Sequence, residues 1–144
     1  MRKHKGFTLI ELVVVVMILG ILAAVAAPKL LNTSGTASDN AAKESLGVIR
    51  DAIERYTAEH GGTIPPAGTQ AAFKAALSPY LRVFPKCPVV NQNDNVKLTG
   101  TAGAMTGAGT EGWQYNTADG GFIINSANVI KSDTSGTNPQ YDSL

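Results

Sequence analysis

The chain has 144 residues, a formal net charge of +1 and 44% apolar residues, enough for one small domain with a modest core. Charged residues make up 16%, below the roughly 25% usual for globular chains, and the shortfall is local: from Thr8 to Pro28 the one charged residue is Glu11. Arg2, Lys3 and Lys5 carry the positive excess. With those three set aside, the remaining nine of the twelve basic residues face eleven acidic ones, so the chain carries no charge footprint for nucleic acid. A lone cysteine, Cys87, excludes an intramolecular disulfide and a cysteine-based zinc site, and is expected to be a small, partly buried apolar residue.

Met1 to Gly6 is short, polar and cationic, and Phe7 to Ala27 is then almost continuously apolar. A helix of that length spans roughly 32 Å at ~1.5 Å per residue, which matches a hydrocarbon core about 30 Å thick. The basic tip places the N-terminus on the cytoplasmic side. A cleaved secretory signal peptide is an alternative, with Ala24-Val25-Ala26 as its site. Neither a signal peptide nor a plain anchor gains from Glu11. A carboxylate at the bilayer centre is unfavourable by ~2.5–3.5 kcal/mol, and less near an end. An intramembrane acid therefore needs a partner. A cut between Gly6 and Phe7 would supply one, a new α-amino group one helical turn from Glu11. Between staggered copies, Glu11 of one chain could meet the Phe7 amine of the next, and such a pair would act mainly on register.

Lys5-Gly6-Phe7-Thr8-Leu9-Ile10-Glu11 resembles the processing site of type IV prepilins and type II secretion prepseudopilins. The resemblance continues through Leu12 to Val16 and Ile18 to Ala23, up to Ala27-Pro28, and fades beyond about Tyr56. It implies that a dedicated prepilin peptidase cuts after Gly6 and methylates Phe7, and that Glu11 is the assembly glutamate. Pro28 resembles the proline of many pilin helices, where the helix can bend or melt in the filament; a proline inside a helix removes a hydrogen bond. The implied fold is α+β: a long N-terminal helix, half transmembrane and half amphipathic, packed on a small antiparallel sheet. Residues 1–6 would be the leader, 7–31 the transmembrane and filament-core helix, and 32–144 the periplasmic or extracellular head with the upper half of that helix. The implied partners are copies of the chain itself in a homopolymeric filament, the peptidase, an assembly platform, minor pilins, and membrane lipid before assembly. The implied location is the bacterial inner membrane and then a periplasmic or extracellular filament. No cofactor is implied.

Asn32 to Ser38, rich in Ser, Thr and Gly, is expected to loosen the helix. Helical pattern returns from Asp39: Ala42, Leu46, Ile49, Ile53 and Tyr56 share one face, whereas Lys43, Glu44, Arg50, Asp51, Glu54 and Arg55 lie mainly off it. Asp51 and Arg55 have ion-pair spacing, His60 suits the helix C-terminus, and Gly61-Gly62 is a stop. Thr69 is expected to cap a short helix through Leu77, with Phe73 and Leu77 on one side. Pro79-Tyr80-Leu81 and the proline-flanked 84–88 segment are similar to the loop of G-type major pseudopilins, although the tryptophan-glycine pair often found after it is missing.

Val96 to Thr99 is a candidate strand, and Gly100 to Gly112 reads as a flexible loop without a phosphate-loop ending. Trp113 to Tyr115 and Phe122 to Ile124, joined by Asp119-Gly120-Gly121, read as a hairpin whose Trp113, Tyr115, Phe122 and Ile124 face the helix. Val129-Ile130 is a possible edge strand. The tail Ser132 to Leu144 reads as a polar terminus, with calcium binding through Asp133 and Asp142 as the alternative. His4 and His60 are far apart and make no metal site. No catalytic set or cofactor motif is present, so the sequence does not read as an enzyme. Asn32-Thr33-Ser34 is a weak glycosylation sequon.

Overall fold

A computed structural model describes residues 7–101, 103–128, 130 and 140–144, with the backbone alone for 28–32. The chain divides into two compact units, Met1–Gly35 and Thr36–Leu144. Helix α1, Leu9–Glu59, runs through the division. The Ser/Thr/Gly-rich stretch therefore does not interrupt the helix, contrary to the expectation from composition. Helix propensities differ by only about 1 kcal/mol per residue between alanine and glycine, so one short weak stretch does not terminate 51 residues of helix.

In the second unit, α1 buries Ala42, Leu46, Ile49, Ala52 and Ile53 along one stripe. The helix ends where expected. Gly61 and Gly62 both take left-handed φ values, and the Gly62 amide donates to Thr57 O at 2.8 Å, the main-chain bond of a Schellman stop. His60 stacks on Tyr56 with ring centroids 3.9 Å apart. The Asp51–Arg55 pair does not form; among the described residues the ion pair is Lys74–Asp94 at 2.6 Å. Helix α2 is Gln70–Leu77; the Thr69 hydroxyl accepts the Ala72 amide, and Phe73 and Leu77 are its buried residues, as read from the sequence.

Three strands, β1 (Val96–Thr99), β2 (Trp113–Asn116) and β3 (Phe122–Ile124), form one sheet in the order β1-β2-β3. The β2–β3 hairpin is antiparallel, with Trp113 opposite Ile124 and Tyr115 opposite Phe122. Strand β1 pairs in parallel with β2, Val96 opposite Trp113, so the sheet is mixed rather than wholly antiparallel. A parallel pair needs a crossover of a dozen or so residues, and the 100–112 segment supplies it. That segment is not a free loop. Lys97 Nζ donates to Ala108 O at 3.1 Å, the Ala108 amide to Asn125 Oδ1 at 2.9 Å, and Asn116 Nδ2 to Thr101 O at 2.9 Å. Because side chains alternate along a strand, these bonds lie on the sheet face away from Trp113 and Tyr115, and Gln114 is buried there too.

The inner face carries the core. Trp113, Tyr115, Phe122 and Ile124 join the α1 stripe with Phe73 and Leu77 in one cluster. Phe73 packs against both Tyr115, tilted at 4.3 Å between centroids, and Phe122, stacked at 6.0 Å. The two buried polar tips find carbonyls: Trp113 Nε1 donates to Pro85 O at 3.0 Å and the Tyr115 hydroxyl to Pro65 O at 3.1 Å. Val129 lies outside the described residues, and Ile130 is buried without belonging to a strand. Residues 140–144 are docked rather than loose. Tyr141 is buried and donates to Asp39, Arg50 Nη2 donates to Leu144 O at 2.6 Å, and Asp142 Oδ2 accepts the Gly107 amide at 2.8 Å.

Candidate functional site

The residues singled out by sequence lie at the start of α1. Gly6 lies outside the described residues. Phe7 is 83% exposed and precedes the helix. Glu11 sits in the first turn. Pro28 lies within the α1 backbone, one turn from which the helix continues without a break; its side chain is outside the described residues.

Thr8 and Glu11 make a reciprocal set of bonds. Glu11 Oε2 accepts the Thr8 amide at 2.8 Å and the Thr8 hydroxyl at 2.7 Å, and Thr8 Oγ1 accepts the Glu11 amide at 3.3 Å. This is a capping box, in which a Thr and a Glu three residues on satisfy each other's free backbone donors. The first intrahelical bond, Leu12 N to Thr8 O, follows at 3.3 Å. Thr8 is the residue that sequence reasoning passed over. The Thr-x-x-Glu spacing ahead of an apolar run was its signal.

The box changes the physical account of Glu11. Within one chain the carboxylate already has two donors and lies at the positive end of the helix dipole. It therefore enters an apolar surrounding partly compensated. The donor set is also next to the bond that a cut after Gly6 would break: the amide of Thr8 is already on Glu11, and a Phe7 amino group would be one residue away. The geometry can hold a cation from the same chain or from a neighbour at the unused oxygen.

Beyond the first turn, Leu9–Ala27 is long and apolar enough to cross a membrane, and none of it is buried in the structure. Large apolar side chains from Leu9 to Val25 are 44–80% exposed on all sides of the helix. A helix apolar all round is covered by lipid or by other helices. Phe7, Ile10, Glu11, Val14 and Val15 line one shallow hollow on its surface.

No group of three or more His, Cys, Asp or Glu that could hold a metal ion occurs among the described residues. Asp133 lies outside them. Cys87 is buried and burial pushes its thiol pKa up, which keeps it protonated and unreactive.

The first 27 residues match the family model of the prokaryotic N-terminal methylation motif. The chain is 38% identical to the fimbrial protein EcpB of Eikenella corrodens over 71% of this chain and 60% of that one. It is 31% identical to a fimbrial protein of Pseudomonas aeruginosa over 78% of this chain and 77% of that one. Identity reaches 44% with the type II secretion system core protein G of Pseudomonas aeruginosa, over 38% of this chain and 39% of that one. The matched region thus spans less than two thirds of EcpB and of core protein G. No solved structure matches the chain.

Proposed function

Because the chain belongs to the type IV pilin and pseudopilin family, we propose that it is a structural subunit of a type IV pilus-like filament or of a type II secretion pseudopilus, with no catalytic role. The observation that carries the reading is the helix start: a capped carboxylate in the first turn of an unburied, otherwise apolar 19-residue stretch, Leu9–Ala27. Residues 1–6 act as a leader. Prepilin peptidase cuts between Gly6 and Phe7 and methylates Phe7. Residues 7–31 hold the subunit in the inner membrane, N-terminus toward the cytoplasm, and then form the filament core. Residues 32–144 form the periplasmic or extracellular head. The assembly platform and minor pilins act on this precursor.

Transfer from lipid to a filament core moves the helix between two dry surroundings, so the hydrophobic effect does not decide the step and packing with polar contacts does. Glu11 is the polar contact available. The Phe7 amine of a neighbouring subunit reaches its carboxylate, and a subunit out of register leaves both charges unpaired in a dry core. Pro28 lacks an amide donor, which leaves one carbonyl of α1 without its helical bond and makes that turn the place where the helix yields.

The test is mass spectrometry of the N-terminal peptide from native subunits, together with Glu11→Ala. The expected peptide starts at Phe7 and carries one added methyl, and the variant stays in the membrane but assembles poorly. A soluble chain starting at Ala27, or normal filaments from the variant, would overturn the reading.

A further inference from the structure

The head has two unlike flanks beside the buried stripe of α1. On one, Arg50, Ile53, Glu54, Thr57 and Ala58 recur at helical spacing and face the β2–β3 turn across two adjoining clefts of about 300 and 450 Å³. Ile53, Ile64 and Phe122 make this groove apolar, and Glu54 and Asp119 stand exposed on its rim. Arg50, the cation in the groove, is turned onto Phe122 O at 3.0 Å and Leu144 O. On the other flank, Val48, Asp51, Ala52 and Arg55 meet the loop that follows α2 at Tyr80 and Leu81. That loop carries an apolar tip, Val83, 75% exposed, with exposed Arg82 before it and exposed Lys86 after it. Neither Arg82 nor Glu54 has an ion-pair partner among the described residues.

We infer that the Arg82-Val83 tip of one head seats in the Ile53–Phe122 groove of a second copy of this chain, with Arg82 against Glu54. An apolar knob flanked by cations matches an apolar groove rimmed by carboxylates. Knob and groove lie on opposite flanks of one helix, so the contact is heterologous. Such a contact leaves a free knob and a free groove at the ends and propagates without closing unless the rotation forms a ring. The inference rests on the filament reading and assigns the head-to-head contact within it. Rim charges of this kind select orientation and register more than they add affinity.

Val83→Cys with Ala58→Cys in one full-length chain tests the contact. Cys87 is buried, so the unmodified chain is the control. Oxidised filaments of the double variant are expected to run as a ladder of covalent multimers, and each single variant as monomer. Normal filaments without a ladder, or dimers from Val83→Cys alone, would overturn the inference. In parallel, Arg82→Glu and Glu54→Arg should each lower filament yield about tenfold, equivalent to roughly 1.4 kcal/mol, with head melting unchanged, and together should restore it. A double variant no better than either single one would also overturn it. Absence of any filament from the unmodified chain would instead remove the filament reading and leave the groove contact to be read from cross-linked dimers in the membrane.

Discussion

The two units use the same kind of residue in opposite ways. In the first, valines, leucines and isoleucines cover every side of α1 and none of Leu9–Ala27 is buried; in the second, one stripe of the same helix is buried and most of the rest is polar, with Val48 an exposed exception. The first unit's apolar surface is an intermolecular feature, satisfied by lipid or by neighbours. The second unit's is intramolecular. A substitution in the first should therefore be read in assembly, and one in the second in the melting of the head.

The comparison can be broken most forcefully at Phe73, which is fully buried against Tyr115 and Phe122. Phe73→Ala should destabilise the head by about 3–5 kcal/mol in urea unfolding of the detergent-solubilised chain. Val14→Ala in the first unit should leave that transition where it was; a similar loss from both would mean the units are not energetically distinct. Gly112→Ala comes next. A Cβ there would lie 2.6 Å from Asn93 O and 2.6 Å from Cys87 Cβ, and overpacking of this kind costs about 1–3 kcal/mol. An unchanged midpoint would show the crossover to be looser than described.

Thr69→Ala should lower stability by about 1 kcal/mol through loss of the α2 cap, and Thr69→Ser should restore most of it. The smallest effect is expected at Asp94. Its hydrogen bond from Lys74 holds the carboxyl below its ordinary pKa. A depressed carboxyl pKa contributes stability that is present above the unfolded value of about 4 and lost as pH falls through the folded value. The pair is partly exposed to solvent, so the loss on acidification should be under about 1 kcal/mol and should vanish in Lys74→Met.

Several local signals were legible, although the 32–38 stretch and the Asp51–Arg55 spacing misled, and long-range ones were not. The apolar run, the Thr69 cap, the glycine stop after His60 and the Asp119-Gly120-Gly121 turn each act within a few residues, and each element stands where its signal put it. The parallel placement of β1 has no local signature, because it is fixed by the crossover and by what lies on either face. The packing of residues 100–112 was hidden for a related reason. Glycine and alanine offer backbone bonds rather than side chains, and their partners Lys97, Asn116, Asn125 and Asp142 lie elsewhere in the chain. At the candidate site, Glu11 stood out as a charge among apolar residues. Thr8 did not, because a threonine there is unremarkable until its three-residue spacing to Glu11 is noticed.

The docking of residues 140–144 bears on the order of events during synthesis. Tyr141 meets Asp39 and Leu144 meets Arg50 across separations of 102 and 94 residues. Contacts so distant in sequence bring loop-closure entropy that local contacts avoid, and they slow folding. The upper part of α1 and the hairpin can form as soon as they emerge. The ties from residues 140–144 cannot close until those residues have been made, so the growing chain carries an exposed first helix before it carries a finished head.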